Sequence, residues 1–344
     1  MSENTEATPN QQTIPPVLQG LASFKVKFDA SDSTRSKSLY GNGRMQVKVQ
    51  VLVSGVDANG NTMHVPAEVM DSIELIHYGT GKTLRDGWAA STEQGRYTLE
   101  AKTSFTAADV NDDDVEDDSV HPQVRTFWVS SSVAGTTQIA ARLDLNGQRV
   151  LSNGTTLSSV HDSSVTLEAQ LPQTYAIEQF RWYQTRRGNE EPGNRIWNYY
   201  LGLYPQGQQI KLVDWVADGV SAHVDHDFAG GNKLEESKTN YMRATLVRPE
   251  RSTLGVKLPF NGNPVAFAFF SDAITRNEKL YSVRVNDHDG ELTVVQALSE
   301  YSSLAPASRF GDVFRFRAID QHGTEHRLAI RINFQERNIY LERG

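Results

Sequence analysis

MQVKVQVLVSGVDANGNTMHV, residues 45–65, decides how this chain folds. Val47, Val49, Val51 and Val53 recur at every second position with Gln46, Lys48 and Gln50 between them, the period of a strand with one buried face. Asp57-Ala58-Asn59-Gly60 follows, ending on residue types that tolerate positive φ, and strand-like residues resume at Thr62. The stretch is therefore expected to be two strands joined by a tight turn.

Outward from it the same texture repeats. FKVKF (24–28), SIELIHY (72–78), RYTLEA (96–101), VRTFWV (124–129) and TQIAARLDL (137–145) precede SVTLEA, IKLVDWV, YMRATLV, VAFAFF (265–270), YSVRV, LTVV, VFRFRAI and HRLAIRINF. Helical periodicity is scarce. Asp-x-x-Gly turns stand at 57–60, 144–147, 287–290 and 320–323, and each predicts a hairpin connection. The expected class is all-β, with tandem antiparallel β-sandwich domains.

A chain of 344 residues exceeds what one growing core accommodates, so two domains are expected. Residues 1–18, with Pro9, Pro15 and Pro16, predict a flexible tail. Residues 19–170 form a sandwich region, either one domain or two small modules. Residues 171–344 form a second β domain that starts with an aromatic-rich segment. A net charge of −8 offers no general attraction to nucleic acid. The absence of cysteine excludes disulfides, thiolate metal sites and thiol nucleophiles. The first twenty residues have neither a basic nor an apolar leader segment, and no apolar run reaches the ~18 residues of a spanning helix. The expectation is synthesis in the cytoplasm without a Sec signal, compatible with export by another route.

Within the first half, MQVKVQVLVSGVDANGNTMHV followed by DSIELI parallels TTQIAARLDLNGQRVL followed by SSVTLEA. GVDANGNTMHV and LDLNGQRV resemble the strand-turn stretch of bacterial immunoglobulin-like modules of the invasin and intimin type. That resemblance implies an immunoglobulin-like sandwich in the N-terminal half and an adhesin-like binding role.

Five segments are candidates for chemistry. GTGKT (79–83) is half of a phosphate-binding loop, but Ile76 stands where the first glycine belongs and LRDGWAASTEQG cannot open the required helix. No nucleotide is expected, and Lys82 belongs to a turn. The run 109–118 carries seven carboxylates in ten residues; Asp112, Asp114, Glu116 and Asp118 would share one side of an extended segment as oxygen ligands for calcium, the alternative being a solvated acidic loop. No other cofactor is expected. SAHVDHDF (221–228) would place His223, Asp225 and Asp227 on one side of a strand, as zinc ligands or as a base and its orienter, against the simpler expectation of a polar strand face.

The segment 171–205 holds eight aromatics in 35 residues. Trp182, Tyr183, Trp197, Tyr199 and Tyr200, interleaved with Arg186 and Arg187, have the composition of a surface for a protein or glycan partner, or of a core. If RWYQT pairs with IWNYYLGLY across the RRGNEEPGN loop, alternation divides these rings between two faces. Finally, 130–164 holds twelve Ser and Thr residues. This is the texture of a solvated sandwich sheet, or of a hairpin that a β-pore-forming toxin inserts into membranes. With no catalytic constellation, the leading expectation is a non-enzymatic binding or structural module, adhesin-like, tail-like or toxin-associated. A homo-oligomer is compatible with it, and a membrane partner follows only from the pore-forming alternative.

Overall fold

The structure is a computed structural model that describes residues 17–31, 33–97, 122–154, 162–232, 241–259, 278–300, 313–333 and 336–344. The tail up to residue 16, RYTLEA from 98 onward, the acidic run 109–118 with Asp112, Asp114, Glu116 and Asp118, residues 155–161 of the Ser/Thr-rich stretch, and VAFAFF lie outside the described residues. The chain divides into two compact units, Met1–Leu171 and Pro172–Gly344. Both are built from strands arranged in sheets.

The first unit contains β1 (Gly20–Lys27), β2 (Ser36–Tyr40), β3 (Val47–Val56), β4 (Thr62–Met63), one short helix α1 (Ala67–Asp71), β5 (Glu74–His77), β6 (Trp88–Ser91), β7 (Gln123–Ser131), β8 (Gly135–Leu145), β9 (Gln148–Leu151) and β10 (Val165–Gln170). One sheet runs β1-β3-β7-β6 with β4 hung on β3; the other runs β2-β10-β8-β5 with β9 hung on β8. All pairings are antiparallel except β2 with β10, which is parallel. The alternation read in 45–53 becomes a buried face: Val47, Val49, Val51 and Val53 join Ile139, Ala141, Leu143 and Leu167 in a single core. Two buried hydroxyls inside are paired with backbone. The Ser163 hydroxyl accepts from the Val26 N–H at 3.0 Å, and the Ser152 hydroxyl from the Ala141 N–H at 2.9 Å.

Three of the four Asp-x-x-Gly turns are hairpins: Asp57–Gly60 joins β3 to β4, Asp144–Gly147 joins β8 to β9, and Asp320–Gly323 links two strands of the second unit. In the second of these, Asn146 and Gly147 take φ of 50° and 79°, the paired left-handed geometry of a two-residue connection. GTGKT is also a turn. The N–H groups of Thr80 and Gly81 both donate to the carbonyl of His77, and His77 in turn donates to Lys82 O.

The second unit contains β11 (Phe180–Arg186), β12 (Asn194–Leu203), β13 (Leu212–Val216), β14 (His226–Asn232), β15 (Tyr241–Leu246), β16 (Thr253–Pro259), β17 (Glu278–Arg284), β18 (Leu292–Ser299), β19 (Val313–Asp320), β20 (Glu325–Asn333) and β21 (Asn338–Arg343). A five-stranded sheet β11-β12-β18-β15-β14 packs between a four-stranded sheet β13-β19-β20-β21 and the hairpin β16-β17. Every residue of β18 is buried as a result. Leu292, Val294 and Leu298 enter the core under the four-stranded sheet, while Val295 and Ala297 enter the core under the hairpin. Because β18 already has β12 and β15 as neighbours, β17 cannot pair with it. The turn Asp287–Gly290 therefore crosses from one sheet to another, and the hairpin expected there is corrected.

Candidate functional site

β11 and β12 pair in the register Tyr183↔Tyr200, Trp182↔Leu201 and Arg186↔Trp197. Alternation then sends the segment's aromatics to opposite faces. Trp182, Trp197 and Tyr199 pack on the core shared with the four-stranded sheet. The Trp182 indole stacks on Tyr199 at 5.1 Å, and its Nε1–H donates to the Ile339 carbonyl at 3.1 Å. Tyr199 is buried and its hydroxyl donates to Asn338 Oδ1. Burial raises its pKa.

Tyr183 and Tyr200 lie on the opposite face, among polar groups delivered by the crossover turn. Tyr183 is 38% exposed, yet its hydroxyl donates to Glu291 Oε2 at 2.6 Å and lies 2.7 Å from His288 Nδ1. Because the phenol proton goes to Glu291, Nδ1 of His288 is the donor in the second contact. The Tyr204 hydroxyl takes the other carboxylate oxygen of Glu291 at 2.7 Å, and the Arg181 guanidinium lies over the Tyr204 ring at 4.0 Å. Tyr200 stacks on both neighbours, 5.3 Å from Tyr183 and 4.0 Å from His288, and donates to Asp287 at 3.1 Å. Gly202 makes this crowding feasible: a Cβ there would stand 2.5 Å from the Tyr204 ring and 2.8 Å from Glu291 Oε1.

The electrostatics keep these phenols protonated. Burial first, then the hydrogen bond to Glu291, raises Tyr183 and Tyr204; burial raises Tyr200. They are hydrogen-bond donors, not phenolate bases, and of the three Tyr183 is exposed while Tyr200 is buried. Along the outer side, Arg181, Gln184, Thr185, Arg186 and Arg187 are exposed, and β11 is an edge of its sheet among the described residues. Arg186 reaches Glu190 at 3.6 Å, while Arg187 donates to Ser282 O at 3.2 Å and flanks the Tyr281 ring.

The segment 221–228 is not one strand, which corrects that expectation. Residues 221–224 form a turn closed by Val224 N–H on Ser221 O, and β14 starts at His226. His223 is exposed. Asp225 accepts from the Arg248 N–H at 2.8 Å and pairs with Arg251 at 2.9 Å. Asp227 pairs with Arg243 at 2.8 Å, and burial pushes its pKa up to about 6 against that partner. The two carboxylates serve different arginines, so no joint ligand set forms. Among the described residues no group of three metal-ligating side chains gathers. The Ser/Thr-rich stretch contributes β8 and β9 to the first core through Ile139, Leu143 and Val150.

Asp287, His288 and Glu291 are site residues that the sequence does not single out. Arg181 and Tyr204 belong to the aromatic segment by composition. His288 and Glu291 carry no local signal, because the pairing Leu201↔Leu292 alone brings them beside Tyr183 and Tyr204.

No family model matches the chain, and no curated protein matches it. Among solved structures, one similar chain is the C-terminal domain of the Streptococcus pyogenes antigen I/II-family protein AspA, 10% identical over 90% of this chain and 98% of that one, with a TM-score of 0.20. That score is too low for a shared fold, and nothing is carried across from it.

Proposed function

We propose that the chain is a non-enzymatic, adhesin-like binding module whose contact surface is the edge strand β11 with the crossover turn Asp287–Glu291, and whose partner is a protein or glycan. One observation carries this: Tyr183 is held open to solvent by hydrogen bonds to Glu291 and His288 and by stacking on Tyr200. A solvent-facing ring fixed before binding loses little entropy on contact; exposed Arg181 on its own face adds charge and direction, and exposed Arg186 extends the surface to the other face of the same edge strand. Raised phenol pKa values make the tyrosines hydrogen-bond donors, the role that rings at a recognition surface play.

The first unit is, in the same proposal, an immunoglobulin-like sandwich that serves as a spacer or second module. Its orders β1-β3-β7-β6 and β2-β10-β8-β5, with the first strand split between sheets, correspond to the ABED and CFG pattern of that fold.

The test is retention of the purified chain on arrays of oligosaccharides and of extracellular-matrix proteins. Tyr183→Ala and Arg186→Ala are expected to lose at least one retained partner with the far-UV circular dichroism spectrum unchanged. Retention unaffected by both substitutions would rule out this surface.

A further inference from the structure

On the face of the four-stranded sheet that points away from its core, β19 and β20 bring arginines together. Arg317 stands directly opposite Arg327, and Arg315 opposite the small Ala329. Like charges facing each other across antiparallel strands are destabilising unless neutralised. Arg317 is neutralised, by Asp218 at 3.1 Å and Glu325 at 3.3 Å. Farther along the same face Arg331 pairs with Glu342 at 2.7 Å. Among the described residues no ion pair reaches Arg315 or Arg327, and both are exposed. All three guanidinium-bearing residues line one open cleft of about 400 Å³ with Val216, Asp218 and Gly344. This basic cleft sits in a chain of net charge −8.

We propose that the cleft binds a tetrahedral oxyanion, that of a sulfate monoester or a phosphodiester group. Asp218 and Glu325 take Arg317, which leaves the guanidiniums of Arg315 and Arg327 to meet an anion. The guanidinium fork suits oxyanions. A carboxylate presents two oxygens and is filled by one fork, whereas the oxygens of a tetrahedral group point in several directions and accept from Arg315 and Arg327 together. Such a cleft supplies an anion subsite apart from the Tyr183 surface, and it stands or falls without it.

The experiment is titration of the full chain with 4-nitrophenyl sulfate and with dimethyl phosphate, by calorimetry at constant ionic strength, with acetate as the comparison anion. Saturable binding of at least one ester, tighter than acetate, is expected. The double substitution Arg315→Gln, Arg327→Gln should weaken it ~10-fold or more, as loss of hydrogen bonds to a charged group implies, while Arg331→Gln leaves it unchanged. Preference for the sulfate places the group on a sulfated ligand, and preference for the phosphate on a phosphodiester. If the double variant does not fold, guanidinium Nε resonances of the wild type decide the same point: Arg315 and Arg327 must shift on titration and Arg331 must not. Absence of saturation, acetate binding as tightly as the esters, or indifference to the double substitution would overturn the proposal.

Discussion

The Tyr200 ring lies flat on the imidazole of His288, centroids 4.0 Å apart and planes 14° from parallel. One residue comes from β12 and the other from the turn that feeds β18, so their contact exists only while those strands are in register. Stacking at this distance restrains both rings, and His288 passes that restraint to Tyr183 through Nδ1. His288→Ala is expected to cost ~1 kcal/mol of stability and to weaken any partner contact of Tyr183 by more than Tyr200→Phe does. Urea denaturation and retention measurements on the same proteins check both halves.

Glu291 is buried and accepts from two phenols. Glu291→Ala leaves both hydroxyls without their acceptor and should destabilise the protein by ~2–4 kcal/mol, whereas Glu291→Gln keeps one carbonyl acceptor and should cost less. Equal losses for the two variants would mean that the carboxylate is not what holds Tyr183 and Tyr204.

Neighbours in sequence should behave as opposites. Trp182 is half-buried against the core, so Trp182→Ala should lower stability by ~2–3 kcal/mol. Tyr183→Ala, on the open face, should cost ~1 kcal/mol or less. Thermal unfolding of the two variants side by side decides whether the faces are assigned correctly.

Arg248 is 2% exposed, lies 3.5 Å over the Trp215 ring, and donates to the carbonyls of Val224, Trp215 and Ser221. No lysine reproduces that fan of donors. Arg248→Lys is expected to destabilise by ~2 kcal/mol and Arg248→Ala by ~3 kcal/mol or more. Proteolysis between β13 and β14 should speed up in both, since the arginine is what ties down that loop.

Asp227 has a folded pKa of about 6, raised by burial from the ordinary 3.8 and opposed by Arg243. A raised carboxyl pKa means that the native state holds the proton more tightly than the unfolded chain does. Its contribution is complete below about pH 4 and is lost as pH rises through 6. The full shift corresponds to ~3 kcal/mol, and the expected effect is smaller because 32% of the side chain meets solvent. The urea midpoint should therefore fall further between pH 4 and 7 in the wild type than in Asp227→Asn. Parallel profiles would contradict the assignment.

Much of the β architecture was legible because it rests on local signals. The period-two valines of 47–53 mark their own buried face, and the Asn146-Gly147 step carries its own left-handed turn. The pairing of β11 with β12 was also readable, since two aromatic runs flank one glycine-bearing loop. The Asp287–Gly290 turn was misread as a hairpin because its composition is that of one; its true path depends on β18 having two other neighbours. His223, Asp225 and Asp227 were read as one strand face, since nothing local announces that Arg248 and Arg251 claim Asp225 while Arg243 claims Asp227.

By itself the sequence determined that the chain makes sheets, where several turns fall, and which rings could share a face. These follow from backbone sterics and the two-residue repeat, which act over a few positions. Only the tertiary structure decided that Glu291 reaches Tyr183, that Trp182 goes inward while Tyr183 stays open, and that Arg315 and Arg327 share one cleft with no ion pair to either among the described residues. Those are outcomes of strand order and register, set by the burial of whole faces at once, and no window of neighbouring residues encodes them.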